Sequence, residues 1–424
     1  MIMSSRIAVR DSTGVTVRRD VLWRSGAITA VFILPALVLR FSALDPHPVV
    51  ALVVYGAAVI SASFLLAWAA EAAQMDVSGG LAIAVLALIA VLPEYAVDLY
   101  YAYTAGHDPE YVQYAAANMT GSNRLLMGLG WPVVVLVSLA VANKMTAKKM
   151  TAKPVSTLAL EQGNRVELGF LLIAGIAAFI IPVTGRIHVV FGIALLAWFG
   201  FYLYKLTRGD VEEPELIGTA ATIGGMSTKA RRSTVIAMLV FAAMVILVCA
   251  EPFANSLIDA GSELGIDQFL LVQWLAPLAS EAPEFIIAII FASRGKGTAA
   301  IAMLISSKVN QWTLLVGSLP IAYLAGGGEG ASLVLDGRQT EEMLLTATQT
   351  MMGVALILAL GFHRWSAWVL LALFLIQFPI TSTEGRLVIC GVYAVIAVCA
   401  LVVNRRHILP SLTAPFRGHG SPGL

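Results

Sequence analysis

The chain has 424 residues, of which 58% are hydrophobic and only 12% are charged, and its mean hydropathy is +0.84. A water-soluble protein of this length does not combine so little charge with so much apolar surface, so the composition predicts an all-α polytopic membrane protein in a lipid bilayer. The net charge of +1 gives no indication of nucleic-acid binding. The three cysteines lie in apolar runs without CxxC spacing and define no redox compartment.

Twelve apolar runs are long enough to cross about 30 Å of hydrocarbon. Ahead of them, the first 26 residues carry five arginines but no apolar core with a cleavage site, which favours a cytoplasmic leader over a signal peptide. The predicted spans are 28–44, 49–70, 81–104, 112–142, 167–184, 187–206, 233–256, 268–293, 298–325, 341–361, 364–380 and 385–403.

The basic residues predict the orientation of these spans. With the N-terminus inside, the inside segments hold twenty of the 27 lysines and arginines and the outside segments hold three. Because inside loops are enriched in basic residues, we expect both termini to be cytoplasmic. The short loops and the absence of a large insert between the halves favour a prokaryotic inner membrane.

A weak internal repeat divides the chain. Leu92-Pro93-Glu94 in the first half matches Ala282-Pro283-Glu284 in the second, and each is followed by a span with a polar centre. Under the predicted orientation the two motifs run in opposite directions, which is typical of transporters with inverted repeats. We therefore predict two inverted five-helix repeats, with linkers and peripheral spans outside them. The predicted divisions are 1–48 (leader and span 1), 49–206 (first repeat), 207–232 (cytoplasmic linker), 233–380 (second repeat) and 381–424 (span 12 and tail).

Four carboxylates fall near the centres of the predicted spans. Glu94 and Asp98 are spaced i,i+4 and Glu281 and Glu284 i,i+3, so each pair shares one helix face. A carboxylate within the bilayer needs a partner or a cavity. Each Pro-Glu proline removes a backbone donor and frees a carbonyl oxygen one turn earlier, and such oxygens beside carboxylates suit a dehydrated Ca²⁺ with its roughly six to eight oxygen ligands. A helix-to-helix hydrogen bond or ion pair is the alternative for each carboxylate.

Polar residues at the centres of the facing spans complete the predicted site. We expect cation ligands from Ser122, Asn123, Ser306 and Asn310, and a supporting role for Asn118; a small-residue packing face is the alternative. Glu71 and Glu251 fall late in spans 2 and 7, near opposite membrane surfaces. They are candidates for a gate or a proton path, and simple solvation at a helix end is the alternative. The histidines lie in loops or at span ends, so a histidine metal centre is not expected.

At these residues the chain resembles the calcium/cation antiporter superfamily, which includes sodium/calcium exchangers and cation/proton exchangers. The resemblance covers spans 2 to 11 and is strongest at the two Pro-Glu motifs and at Gly121-Ser122-Asn123. It implies that Glu94 and Glu284 are central cation ligands, facing Asn123 and Asn310. It also implies exchange of Ca²⁺ or a similar cation against Na⁺ or H⁺ by alternating access.

Two buried basic residues depart from that pattern. Lys308 stands in the second repeat where Gly-Ser-Asn would be expected, and Arg124 follows Asn123 in the first. Both lie deep in their spans, and we predict that Lys308 pairs with Glu281 or Glu284 and Arg124 with Asp98. Four carboxylates and two fixed cations leave a charge of about −2, enough for one divalent ion. Lys308 in a Na⁺ position would favour H⁺ as the counter-ion, whereas an ion pair that only holds helices together is the alternative.

The sequence therefore predicts a secondary active cation antiporter that moves Ca²⁺ or a similar cation against H⁺ or Na⁺ and needs no resident cofactor. The alternative is an exchanger-fold transporter of another solute, or a passive cation pathway, in which Lys308 and Arg124 replace bound cations. An enzyme is not expected: a Ser/His dyad, HExxH or GxGD motif for an intramembrane hydrolase is missing from the spans. Nothing in the sequence indicates an oligomeric state.

Overall fold

The computed structural model describes residues 9–10, 16–17, 19–42, 44–76, 88–89, 91–147, 154–208, 216–380 and 382–417. Parts of the predicted leader, span 81–104, linker 207–232 and C-terminal tail lie outside these residues. The α-helices are α1 (Arg19–Phe41), α2 (Pro48–Ala73), α3 (Leu92–Thr104), α4 (Tyr111–Leu125), α5 (Trp131–Ala147), α6 (Asn164–Ala178), α7 (Ile180–Thr184), α8 (Val189–Leu206), α9 (Gly218–Gly224), α10 (Thr228–Leu264), α11 (Gln268–Ser293), α12 (Gly297–Asn310), α13 (Val316–Ala325), α14 (Gly337–Ile357), α15 (Arg364–Ile376), α16 (Thr383–Val403) and α17 (Arg405–Thr413).

Nine helical segments in the described part of the chain are long and apolar enough to cross a membrane. Each coincides with a predicted span. Three predicted spans are not among them: 81–104, of which α3 is described; 341–361, which corresponds to α14; and 364–380, where α15 has only 13 residues. The membrane-spanning all-α architecture is thus confirmed, and the count of twelve stays a prediction.

Helix α14 is missing from the nine because of its polarity. Almost every residue from Gln339 to Ile357 is buried, including three threonines and Gln349, so its polar side chains face protein rather than lipid. Its N-terminus is fixed by a capping box, in which Asp336 accepts from the Gln339 amide and the Gln339 side chain accepts from the Asp336 amide.

The chain forms two compact units, each described here by itself. Unit 1 comprises Met1–Val97 and Leu206–Leu264, and unit 2 comprises Asp98–Lys205 and Gly265–Leu424. Unit 1 is held together by the packing of α2 against α10, where Gly56 leaves room for the ring of Phe253. Beyond the end of α2, Asp76 accepts two hydrogen bonds from Arg231, from Nε at 2.7 Å and from Nη2 at 2.8 Å.

Unit 2 contains two strand pairs that reveal the repeat. Strand β3 (Thr157–Ala159), ahead of α6, pairs with β6 (Gly361–His363), between α14 and α15. Strand β4 (Arg186–His188), between α7 and α8, pairs with β5 (Ser332–Val334), ahead of α14. Each pair joins the first strand of one repeat to the second strand of the other. A twofold relation between the repeats produces this reciprocal pairing. The short pair β1 (Val9–Arg10) and β2 (Thr16–Val17) belongs to unit 1.

Both polar helices of unit 2 contain a π-helical segment. It spans Leu126–Gly130 between α4 and α5, and Gln311–Leu315 between α12 and α13. In the alignment that matches Asn123 with Asn310, the two segments begin within two residues of each other. The helical path continues through both segments. A π segment shifts the hydrogen-bond pattern without unwinding the helix and is frequent at functional sites.

Candidate functional site

The Gly121-Ser122-Asn123 motif lies on α4 against the backbone of α11. A Cβ at Gly121 would lie 2.7 Å from the carbonyl carbon of Gln273 and nearer still to its oxygen, so only glycine fits here. Four residues after Gln273, Pro277 has no N–H with which to bond that carbonyl. The close approach brings α4, which carries Asn123, next to α11, which carries the second Pro-Glu motif.

The two carboxylates of α11 have hydrogen-bond partners on α12 and on the π-helical segment that follows it. Gln311 Nε2 donates to Glu281 Oε1 at 2.7 Å, and the Ser307 hydroxyl donates to Glu284. Glu281 is buried and Glu284 is half-buried. The predicted placement of both carboxylates beside this polar helix is therefore what the structure shows, whereas their role as cation ligands stays a prediction.

The carboxylates of the first motif lie on α3. Glu94 belongs to unit 1 and Asp98 to unit 2, and both side chains are buried. Their i,i+4 spacing on one helix agrees with the sequence prediction.

Lys308 is buried and reaches across to α4. Its ammonium donates to the backbone oxygen of Asn123 at 2.5 Å and to Asn123 Oδ1 at 2.8 Å. Asn123 in turn donates from Nδ2 to the Met119 carbonyl at 3.0 Å, which orients its amide oxygen toward the lysine. The site thus joins Asn123 of the first repeat to Lys308 of the second. The predicted pairing of Lys308 with Glu281 or Glu284 stays a prediction.

The predicted pairing of Arg124 with Asp98 is wrong. Arg124 is buried, and its Nη2 lies 2.7 Å from Oε2 of Glu342 on α14. Its guanidinium also stacks over the Trp274 ring, 4.9 Å from the centroid. Arg124 and Asp98 lie on consecutive helices of the chain. However, α14 packs against α4 and supplies the carboxylate instead.

The remaining predicted ligands have different surroundings. Asn310 is buried at the end of α12. The Ser306 hydroxyl lies 2.6 Å from the Tyr202 hydroxyl. The Tyr202 hydroxyl also donates to Glu167 at 3.4 Å. The buried Asn118 amide and Ser122 hydroxyl have no hydrogen-bond partner among the residues that the structure describes. Buried polar atoms without a protein partner are uncommon and suit a place where water or an ion binds.

The two gate candidates belong to unit 1. Glu251 forms a salt bridge with Arg40 at 2.6 Å, and both side chains are substantially exposed. Helix α10 continues for 13 residues beyond it to Leu264, about 20 Å further, and the predicted position of Glu251 near a membrane surface stays a prediction. Glu71 lies near the end of α2 and is half-buried. A gate or proton-path role for either residue stays a prediction.

Sequence reasoning missed three buried charged residues of unit 2. Glu341 and Glu342 open the predicted span 341–361. Arg386, at the start of the predicted span 385–403, lies in the first turn of α16 with its side chain buried. Its Nη1 is 2.8 Å from Glu342 Oε1. The signal for this group is the repeated polar residue at helical spacing along α14, from Glu342 through Thr346 to Thr350.

In the described part of unit 2, carboxylates alone do not form a metal centre. Within its described residues, no three His, Cys, Asp or Glu side chains lie close enough together to hold a metal ion. A hard cation bound in this unit would therefore draw part of its ligand shell from amide, hydroxyl and backbone oxygens, which Ca²⁺ accepts.

Comparisons with known proteins agree with this architecture. The profile described as "Sodium/calcium exchanger protein" matches residues 47–208 and 234–381. A crystal structure titled H⁺/Ca²⁺ exchanger CAX is similar over 94% of this chain and 98% of its own, with 38% identity and a TM-score of 0.86. No match was found among curated protein sequences.

Two more distant structures share the fold. One is the Ca²⁺/H⁺ antiporter protein YfkE, with 17% identity, a TM-score of 0.58, and coverage of 87% of this chain and 99% of its own. The other is the sodium-calcium exchanger NCX_Mj, with 16% identity, a TM-score of 0.50, and coverage of 84% and 99%. At these identities the likeness extends to the fold alone.

Proposed function

The chain belongs to the sodium/calcium exchanger family, and we propose that it exchanges Ca²⁺ for H⁺ across a membrane by alternating access. Antiport of a cation follows from the family. Ca²⁺ as the cargo is supported by the 38% identical structure titled H⁺/Ca²⁺ exchanger and by the oxygen-rich polar helices of unit 2.

The contact between Lys308 and Asn123 is the observation that favours H⁺ over Na⁺ as the counter-ion. Two oxygens that could bind a monovalent cation already accept hydrogen bonds from a fixed ammonium, at 2.5 and 2.8 Å. That fixed positive charge also reduces the number of free cations that the nearby carboxylates can hold. A proton needs no such coordination shell and can be carried by a carboxylate itself.

The predicted ligands Glu94 and Glu284 have the same task in this proposal. Each would accept Ca²⁺ in its ionised form and a proton in its neutral form, so that the two cations compete for the same oxygen atoms. The Ser307 hydroxyl that donates to Glu284 stabilises the ionised form. Alternating access then requires only that either cation, but not an empty site, permits the conformational change.

Flux measurements in liposomes test this function. We expect an outward H⁺ gradient to drive uptake of radiolabelled Ca²⁺, and a Na⁺ gradient alone to have no effect. Glu94→Gln and Glu284→Gln are expected to abolish uptake, whereas Glu329→Gln, at an exposed carboxylate of the same chain, leaves it unchanged. Uptake driven by Na⁺ without pH dependence would refute the choice of counter-ion. Ca²⁺ movement that follows only its own gradient would identify a passive pathway instead.

Lys308→Met tests the role of the ammonium directly. The variant retains much of the side-chain length but frees both Asn123 oxygens. We therefore expect Na⁺ to compete with Ca²⁺ in this variant and not in the unaltered protein. Equal insensitivity of both proteins to Na⁺ would show that Lys308 only holds the helices together.

We also propose that both termini face the cytoplasm of a prokaryotic cell, on the strength of the twenty basic residues in the predicted inside segments. Labelling of single cysteines introduced at the termini of the intact protein, after replacement of its own three cysteines, tests the orientation. Labelling of either terminus from outside intact cells would contradict it.

A further inference from the structure

Four charged side chains form a buried cluster in unit 2 next to Asn123. Glu342 of α14 lies at its centre: Oε2 is 2.7 Å from Arg124 Nη2, and Oε1 is 2.8 Å from Arg386 Nη1. Arg386 Nη1 is also 3.6 Å from Glu341 Oε1. None of the four side chains is more than 9% exposed. Gln273 of α11 completes the arrangement by donating to Glu342 Oε2 at 3.1 Å.

The cluster is formally neutral, with two arginines and two glutamates. Neutrality matters because a buried charge without compensation is strongly unfavourable. It matters for cations as well, since Arg124 directly follows Asn123, whose oxygens bind the Lys308 ammonium. Without Glu342, the positive charge of Arg124 would repel a cation in the site. Two unit charges about 10 Å apart inside a protein change a binding constant by roughly tenfold.

We propose that Glu342 and Arg386 set the charge beside the cation site: Glu342 neutralises Arg124 next to Asn123, and Arg386 balances the remaining carboxylate charge of the cluster. This inference rests on the proposed function, because it assumes a transported cation near Asn123. It also gives α16 a task in transport. The family profile ends at residue 381, before α16 begins, yet this helix supplies Arg386.

Four variants in the full-length, liposome-reconstituted protein test the proposal. Glu342→Gln leaves the cluster with a net charge of +1, and we expect it to raise the Ca²⁺ concentration for half-maximal flux roughly tenfold. Arg386→Gln leaves −1, and we expect it to lower that Ca²⁺ concentration, because a net negative charge attracts the cation. The double variant Arg386→Gln/Glu342→Gln is neutral again, so most of the lost affinity should return. Asp267→Asn, which breaks the exposed salt bridge between Asp267 and Arg338 in the same unit, is the matched control.

The double variant separates charge compensation from a merely structural role. If these residues only hold helices together, removal of two partners damages the protein at least as much as removal of one. A half-saturation in the double variant equal to or above that of Glu342→Gln would therefore overturn the proposal. Thermal unfolding of each purified variant shows whether it is folded.

Two further outcomes are distinguishable. If Glu342→Gln alone fails to fold, the double variant decides: the proposal requires it to fold and to keep its half-saturation within about threefold of the unaltered protein, and loss of transport in a folded double variant overturns it. If the unaltered protein transports a different cation, the proposed function is wrong in its ion, and the same variants are compared with that cation. If it transports no cation, both the function and the inference are wrong.

Discussion

Gly121→Ala tests whether the close approach of α4 and α11 sets the geometry of the site. The new Cβ would lie 2.7 Å from the carbonyl carbon and 3.1 Å from the Cα of Gln273, whereas non-bonded carbon atoms prefer about 3.5 to 4.0 Å. The helices must therefore separate by about 1 Å or more. Overpacking of this kind costs about 1–3 kcal/mol, and here the obstacle is backbone, which has no alternative rotamer.

The effect on transport is expected to exceed the effect on stability. Helix α4 carries the predicted ligand Asn123, and α11 carries the predicted ligand Glu284, so separation of the two helices moves both residues. A displacement of about 1 Å can lower the rate of a positioned reaction by roughly a hundredfold. We expect the initial rate of Ca²⁺ uptake to fall at least about tenfold, at a protein level and a melting temperature that still indicate folded protein.

The control is a second helical glycine whose Cβ would meet nothing. Gly391 in α16 has no atom within 4 Å of that position, so Gly391→Ala should increase stability by up to about 1 kcal/mol through helix propensity and leave flux unchanged. Full Ca²⁺ uptake by Gly121→Ala, together with an unchanged melting temperature, would refute the claim that this contact is tight.

Two other predictions concern hydrogen bonds. Hydrogen bonds from Arg231 hold the pKa of Asp76 below its usual range, so the carboxylate stabilises unit 1 above pH of about 4 and loses that effect as the pH falls further. Asp76→Asn should therefore lower stability by about 1–3 kcal/mol at pH 7, and melting curves of the two proteins should converge below pH of about 4. Tyr202→Phe and Ser306→Ala break the same bond and should each cost about 1 kcal/mol in stability. Only Ser306→Ala should also weaken Ca²⁺-dependent flux, and equal flux in both variants would remove Ser306 from the ligands.

The parts of the fold that were predictable depend on periodic and local signals. Apolar runs located the nine candidate spans in the described part of the chain, because a helix that meets lipid must be apolar along its length. The same rule does not identify α14 as a candidate span, because the polar residues of this helix are buried in protein. The π-helical segments at Leu126–Gly130 and Gln311–Leu315 have no sequence signature of their own, so the sequence did not reveal them.

The site was predictable in its residues more than in its contacts. The Pro-Glu motifs were visible because carboxylates are unusual in membrane helices, and Gly121 was visible because small residues mark close contacts between such helices. The partners were not, because Lys308 and Asn123 are 185 residues apart in sequence, and Arg124 and Glu342 are 218 apart. A buried arginine predicts that some carboxylate lies nearby, but the choice between Asp98 and Glu342 depends on which helices pack together.

The two repeats therefore resemble each other in backbone more than in charge. Both polar helices carry one buried basic residue close to a π-helical segment, which would suggest equivalent roles. The contacts separate them: Arg124 binds a carboxylate within a neutral cluster, whereas Lys308 donates to two oxygens of Asn123. Only the second charge can compete with a transported cation for ligands. A charge count that treats both residues alike overlooks this difference, and under the proposed function Lys308 is the residue that limits how many cations the site holds.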